Sequence, residues 1–493
     1  MAAGVIEADR TRPAAVRARP AEGAWRRVRR LCWGSTPHRV RTLTGAAVVA
    51  LLVFLAVITT VLTGARDSVD RIGHRAAPQA VRAADLSFAL SDMDAQAANL
   101  LLVGSDQDHF AQRSTVREAY EQRRAQADAD LEQAAEAADN DAGAHRAVNA
   151  VLDGLGQYEA LVARSDLQES AAKAAPGRPA PDALTSYQQA TDLLRSSLLP
   201  AADQVAGANE ATVQGAYDSQ RADLVSGTWW LLLTGLAALG LLGLLQYTLA
   251  TRYRRRFSPP LAAAVLLTVI GLGHAASLAG DTRDRLHTAK ADAYDSVISI
   301  GTARLVAYDS NADESRYLVD PSRATTYEQS FLAKSQRIAT MEGATLADYD
   351  SALALVVGTY RNEHVVDFKG YLADELRNVT FPGEQAAAEQ MLLDYQAYQK
   401  DDRTLRSLNT QGQLAQAVAF DTGTGANQSD ADFNRLGADF DQVIAINQSA
   451  FDRTVRQSDD DLATGTTVTF VLLVAGALAL TVLAVRPRLR EYR

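Results

Sequence analysis

Apolar residues gather in four runs along this chain of 493 residues, and polar residues fill the long stretches between them. The runs cover 43–64, 227–250, 259–280 and 466–485, each about twenty residues, the length a helix needs to cross a hydrocarbon core of about 30 Å. The first, Leu43 to Gly64, holds no charged residue. It is too long for the apolar part of a secretory signal, and Thr63-Gly-Ala65 is a poor cleavage site, so an uncleaved anchor is expected. The second opens on Trp229-Trp230, as an interfacial end would. The third follows Ser258-Pro-Pro260, a cap followed by two prolines in a first helical turn, where a missing N–H costs little.

The two polar stretches, 65–226 and 281–465, show almost no strand alternation. Glycine and proline clusters cut the first at Gly104, at 139–143 and at 176–181, predicting helices over 66–103, 107–138, 142–174 and 182–226. Pro78 should kink the first of these or mark a restart. Leu184, Tyr187, Thr191, Leu194, Leu198, Ala201 and Val205, continuing to Thr212, recur at spacings of three and four, the seam of a bundle. The second stretch breaks at Asp320-Pro321, Gly343, Phe381-Pro-Gly383 and 421–425, predicting helices near 281–319, 322–342, 345–378, 384–420 and 428–464. Its last helix carries a seam through Phe433, Leu436, Phe440, Val443, Asn447, Ala450 and Thr454. A shift of 238 residues sets Leu198 on Leu436, Val205 on Val443 and Asn209 on Asn447. The fold class expected is therefore all-α: an integral membrane protein with four transmembrane helices and two extracytoplasmic antiparallel helical bundles, arranged as an internal duplication.

Charge orients this plan. Residues 1–42 carry ten arginines against three acids, residues 251–258 carry Arg252, Arg254, Arg255 and Arg256, and residues 486–493 carry four more arginines. The long stretches are acidic, with 14 bases against 25 acids in 65–226 and 17 against 30 in 281–465. Positive charge marks the cytoplasmic side. A multi-pass protein of the cell membrane is expected, with both termini and the Arg-rich turn inside and both acidic stretches outside. The basic tail, 1–42, reads as disordered, and near Trp25 and Trp33 it should lie against the lipid bilayer. A nucleic-acid role does not suit a short tail so placed. The single cysteine, Cys32, lies in that tail, so both outer stretches must stand on packing without a disulfide.

No chemistry is legible. The seven histidines are dispersed, with no metal-binding spacing, and no nucleophile elbow or phosphate loop occurs in a strand–turn–helix setting. No catalytic, cofactor or metal site is expected, and no enzyme. The apolar runs lack charged pairs and mid-depth breaks, which places a transporter subunit last among the candidates. His274 sits near the outer end of its run and reads as an interfacial, structural residue. The small pairs Gly271/Ala275 and Ala475/Ala479 could serve helix packing.

Three short motifs carry a resemblance: Asn99-Leu-Leu-Leu-Val-Gly104, Asp313-Glu-Ser-Arg-Tyr-Leu-Val-Asp-Pro321 and Ala324-Thr-Thr-Tyr-Glu-Gln-Ser-Phe331. The outer stretches resemble the four-helix-bundle sensor domains of bacterial chemoreceptors and histidine kinases. The doubled layout with its Arg-rich turn is similar to a family of four-span actinobacterial membrane proteins of a glutamate/glutamine-sensing system. That resemblance implies two partners, an extracytoplasmic amino-acid-binding protein and a cytosolic serine/threonine kinase. A homo-oligomer is compatible with it. Unlike chemoreceptors and sensor kinases, the chain shows no output domain. Only eight residues follow the last run, so a signal is expected to leave through the basic surfaces, Arg252, Arg254, Arg255 and Arg256 among them. The expected role is a non-enzymatic membrane sensor or signal-transducing adaptor, with an envelope scaffold as the alternative. Candidate ligand or partner contacts are Arg316, Tyr317 and Arg323 at the tip of the second stretch's first helix, where arginine could meet a carboxylate.

Overall fold

A computed structural model describes residues 36–137, 142–252 and 258–490. The basic tail up to residue 35, part of the break at 139–143, and Arg254, Arg255 and Arg256 lie outside the described residues. The protein is all-α; among the described residues the sole β feature is a single bridge between Thr340 and Lys369.

The apolar runs are the ends of much longer helices. The helices 38–103, 181–251 and 259–319 each continue without interruption. The first, of 66 residues, is about 100 Å long at the rise of an α-helix. It comprises α1 (Thr36–Val69), a π-helical turn (Asp70–Ala76) and α2 (Ala77–Val103). After α3 (Phe110–Ala137) and α4 (Ala142–Ala172), α5 (Pro181–Leu193) passes through a second π turn (Leu194–Leu198) into α6 (Leu199–Arg252). The helix α7 (Pro259–His287) passes through a third π turn (Thr288–Tyr294) into α8 (Asp295–Val319). Ser258 opens α7 through its carbonyl oxygen, which accepts from Leu261 and Ala262. Pro78 lies in the first turn of α2, and the expected disturbance is the π turn directly before it, where the ladder widens around the donor that proline lacks.

The remainder of the second stretch is more broken than its sequence suggests. It comprises α9 (Ala324–Ile338), α10 (Tyr349–Glu363), α11 (Tyr371–Asn378), α12 (Glu384–Thr410), α13 (Leu414–Asp421) and α14 (Ser429–Asp461). The single helix expected over 345–378 is two, because His364 takes a left-handed conformation and Gly370 has φ +103°. A Cβ at Gly370 would stand 2.7 Å from the carbonyl oxygen of Ile338, so only glycine fits. The helix expected over 384–420 divides at Gly412, φ +75°. The last helix, α15 (Thr464–Arg490), follows α14 after two residues.

The chain forms two compact units. One gathers the apolar runs, from the chain up to residue 60, 226–277 and 464 onward. In it α7 meets the other three helices through small residues: a Cβ on Gly235 or Gly476 would press on Leu272 or Leu267, and Gly271 lies beside Phe54. His274 stacks on Phe470 with ring centroids 5.1 Å apart. Ala475 and Ala479 do not serve packing; they face outward, and Gly476 with buried Ala477 takes that role. Leu52, Leu236, Leu266, Ile270, Leu472 and Leu483 are exposed, the outer surface a bilayer would cover. With four helices long and apolar enough to span, this is a membrane protein.

The other unit contains both polar stretches, 61–225 and 278–463. Its central pair is α2 and α8, buried on nearly every side along 86–103 and 310–319. The core of the first stretch is completed by the second: Tyr317, Leu318, Val319, Tyr327, Leu405 and Val418 join Leu86, Met93, Tyr158, Tyr187 and Leu198 in one cluster. A separate core within the second stretch centres on Phe331, Tyr349, Tyr395, Leu436 and Phe440. A third cluster brings the first and third π turns against α14 through Ile72, Ala289, Ala293, Phe451 and Val455. The predicted seams hold as far as Val205 and Ala450; beyond them Val213 and Val455 turn inward rather than Thr212 and Thr454. Asn447 is fully buried, donating to Glu384 at 2.6 Å, whereas Asn209 bonds back to the carbonyl of Val205 on its own helix.

Candidate ligand pocket

α8 presents two polar faces. One bears Asp309, Asp313 and Arg316. Arg316 is the largest fully buried side chain, and its guanidinium reaches Asp94 of α2 and Asp313 of its own helix at 2.5 Å each, and Asp309 at 3.1 Å. Its Nε donates to the Tyr187 hydroxyl at 3.0 Å. Arg195 and Lys334 close the network on Asp309 and Asp313. Thr191 and Tyr158 donate to Asp94. Three cations thus meet three carboxylates with the remaining lone pairs satisfied, which is what makes a buried charge cluster tolerable. Burial alone would raise Asp309 and Asp313, but Lys334, Arg316 and Arg195 hold both below the usual carboxylate range.

The other face of α8 lines a cavity of about 660 Å³, within the usual range for a small-molecule site. Tyr308, Asn311 and Ser315 contribute from α8. Asp92, Gln96, Asn99 and Val103 contribute from α2, one stripe at helical spacing. The facing wall is Gln112, Thr115 and Val116 of α3, and the far end is Asp421 to Thr424 with Asp430, Phe433 and Asn434 of α14. Gln112 ties α3 to the 422–428 loop by donating to the Thr422 carbonyl at 2.9 Å. The turn after α2 is held by Gly104, φ +76°, where a Cβ would lie 2.7 Å from the backbone nitrogen of Pro176. Only glycine lets the 104 and 176 turns close on each other.

The pocket is acidic. Asp92 is paired with Arg123 at 2.5 Å, but no lysine, arginine or histidine lines the cavity among the described residues. Burial and the neighbouring Asp430 and Asp402 push Asp421 up to about 8, and burial pushes Asp430 up to about 6. Behind this wall Glu314 is fully buried and driven well up by burial and by Asp402 and Asp421. Arg406 bonds Asp402 through its Nε at 2.8 Å, and its guanidinium lies over the rings of Tyr317 and Phe331. No three His, Cys, Asp or Glu side chains converge as a metal site would require, among the described residues.

The residues singled out by sequence lie elsewhere. Arg316 does meet carboxylates, but they are the protein's own, and it is closed to a ligand. Tyr317 is buried beneath Arg406. Arg323 is partly exposed and pairs with Asp192 at 2.8 Å. None of the three lines the cavity. Arg252 ends α6, and its side chain, with those of the other three arginines of the turn, is outside the described residues. The pocket residues did leave a trace in the sequence: Asp92, Gln96 and Asn99 form a polar stripe at helical spacing, and Asn99 opens the motif Asn99-Leu-Leu-Leu-Val-Gly104.

Residues 68–218 match the family model of the actinobacterial sensor domain. The matched stretch includes α2 and α3, two walls of the cavity, and Asp94 and Arg195 of the ion network. No curated protein and no solved structure matches the chain. A membrane sensor role follows from the family match and the four membrane-length helices together.

Proposed function

We propose that this chain is a signal-transducing adaptor that senses a small polar ligand, or a solute-binding protein carrying one, outside the membrane and reports it to a cytoplasmic partner such as a kinase. The observation that carries this reading is helix continuity. Pocket residues stand on 38–103 and 259–319, each of which runs unbroken into an apolar run long enough to cross a bilayer, and on α14, which two residues separate from the apolar α15. A ligand that draws α2, α8 and α14 together would act through two unbroken helices and, across a two-residue joint, on α15, and small shifts of packed helices are a common route for a signal. The π turns at Asp70–Ala76 and Thr288–Tyr294 lie between pocket and apolar run on two of them, and such turns frequently mark functional sites. The positive residues at the other ends of the runs support the inward orientation. The Arg-rich turn and the basic residues flanking the runs are the surfaces offered to the kinase, while the acidic helical unit faces the amino-acid-binding protein.

The test uses the full chain in membrane vesicles with Phe54→Cys and Gly271→Cys, a pair in contact between α1 and α7. Putrescine, glutamine and glutamate are added in turn, and glutamine also with its binding protein. At least one addition should change the cross-linking rate by about two-fold or more, as expected of a modest population shift. Asn99→Trp, which fills the cavity, should abolish the change. An unchanged rate under every addition would leave the scaffold reading in its place.

A further inference from the structure

The pocket's chemistry narrows the ligand class, and the narrowing rests on the sensor reading above. We propose that the cavity takes a small organic cation of the alkylammonium type, with Asp421 and Asp430 as its counter-charges and the Tyr308–Phe433 pair as its aromatic wall.

Four observations carry this. First, the lining bears three carboxylates and, among the described residues, no cation; only Asp92 is neutralised, by Arg123 from outside the wall. An anionic ligand would be repelled by any ionised carboxylate, and a neutral one would leave Asp421 to keep its proton. Second, Asp421 is 94 % buried, and the one side-chain donor beside it is the uncharged hydroxyl of Ser315. That hydroxyl is shared, since it also lies 2.6 Å from Asn99 Oδ1. The other groups facing it are Asp430 of α14, Asp402 of α12 and Glu314 of α8, all acidic. The guanidinium of Arg406 bonds Asp402 through its Nε and is not among the groups acting on Asp421. A buried carboxylate without a compensating partner is costly, and a ligand cation removes that cost. Third, Tyr308 and Phe433 both line the cavity and pack edge to face with centroids 4.8 Å apart. Aromatic faces beside carboxylates are the ordinary environment of a bound ammonium group. Fourth, the side-chain amides of Gln96, Asn99 and Asn434 supply acceptors for N–H donors along the remaining length.

The empty and occupied states differ in protonation. Without a cation Asp421 keeps its proton at neutral pH, because burial and the surrounding carboxylates push it up to about 8. A bound ammonium favours the ionised form, so binding expels that proton. Affinity should therefore rise as pH goes from 6 to 8, by at most about tenfold per unit for one expelled proton.

The experiment measures the thermal stability of the full-length protein in detergent, with putrescine, tetramethylammonium, glutamine and glutamate as separate probes. Putrescine or tetramethylammonium should raise Tm with a saturating dependence on concentration. Asp421→Asn should raise Tm in the absence of any probe and lower the affinity for the cations by about tenfold or more. Asp430→Asn, at the pocket edge, should weaken binding less, and it serves as the second variant should Asp421→Asn fold poorly. Stabilisation by glutamine or glutamate alone, abolished by Asn99→Trp but not by Asp421→Asn, would overturn the cation assignment and leave the sensor reading intact. No stabilisation by either cation would also overturn the assignment, and the sensor reading would then stand or fall on its own cross-linking test.

Discussion

On one face of α8, Asp309, Asp313 and Arg316 belong to a network in which three cations answer three carboxylates; on the other, Asn311 and Ser315 face a cavity whose carboxylates outnumber their partners. Both faces are polar, and both join the two polar stretches of the chain. The balanced face works as a latch. It fixes α2, α5, α8 and α9 in one register and leaves no valence for a ligand. The unbalanced face holds carboxylates that only a proton or an incoming group can satisfy. Charge bookkeeping, more than burial or depth, separates structural polar residues from candidate binding residues in this protein.

The comparison can be broken most forcefully at the latch. Arg316→Met strips one cation from the network and leaves Asp94 buried without its guanidinium. A loss of about 3–5 kcal/mol is expected, the usual cost of removing one partner from a buried ion pair, read from denaturant unfolding. Adding Asp94→Asn should recover part of that loss. If the single variant is as stable as the wild type, the network is not a latch.

A second test uses pH. Burial, reinforced by neighbouring carboxylates, raises Asp401 and Asp439 to about 7 and Asp421 to about 8. Glu375 reaches about 7 from burial and its contact with Glu384. A carboxyl raised in the folded state binds its proton more tightly there than in the unfolded chain. Its contribution is complete below the unfolded value near 4 and is lost as pH climbs through 7 to 8. Asp309 and Asp313, held low, act in the opposite direction, but only below about pH 4. Tm should therefore fall steadily from pH 5 to 8.5, and Asp401→Asn should flatten the slope. A Tm that rises over this range would mean that the facing carboxylates of α12 and α14 do not share protons.

The smallest effect belongs to Arg323. Its pair with Asp192 is largely exposed, and Arg323→Ala should cost no more than about 0.5 kcal/mol and leave cation binding unchanged. A large loss there would show that surface pairing carries weight attributed here to the buried network.

Much of the architecture was legible because it rests on local rules. Runs of about twenty apolar residues, glycine–proline punctuation and seams at spacings of three and four do not depend on distant partners. The breaks at His364 and Gly412 were less legible. Both are left-handed turns that end a helix through local backbone bonds, whereas at Gly370 it is the approach of the Ile338 carbonyl that demands glycine. The candidate site was the least legible. What marks Arg316, Tyr317 and Arg323 in the sequence is a helix tip, a position that says nothing about what packs over it. The pocket instead draws on five separate segments between 92 and 434.

By itself the sequence determined the helical character, the four membrane-length runs and the separation of charge between their ends, because each follows from the composition of a contiguous window. Tertiary structure alone decided that the two polar stretches share a core and that Arg316 is a buried latch. It also decided that Asp421 faces a cavity without a compensating cation. The physical reason is the same throughout. Whether a charged side chain is paired, solvated or stranded depends on which groups from other helices lie within a few ångströms, and residues as far apart as Asp94 and Arg316 become neighbours only when the chain folds.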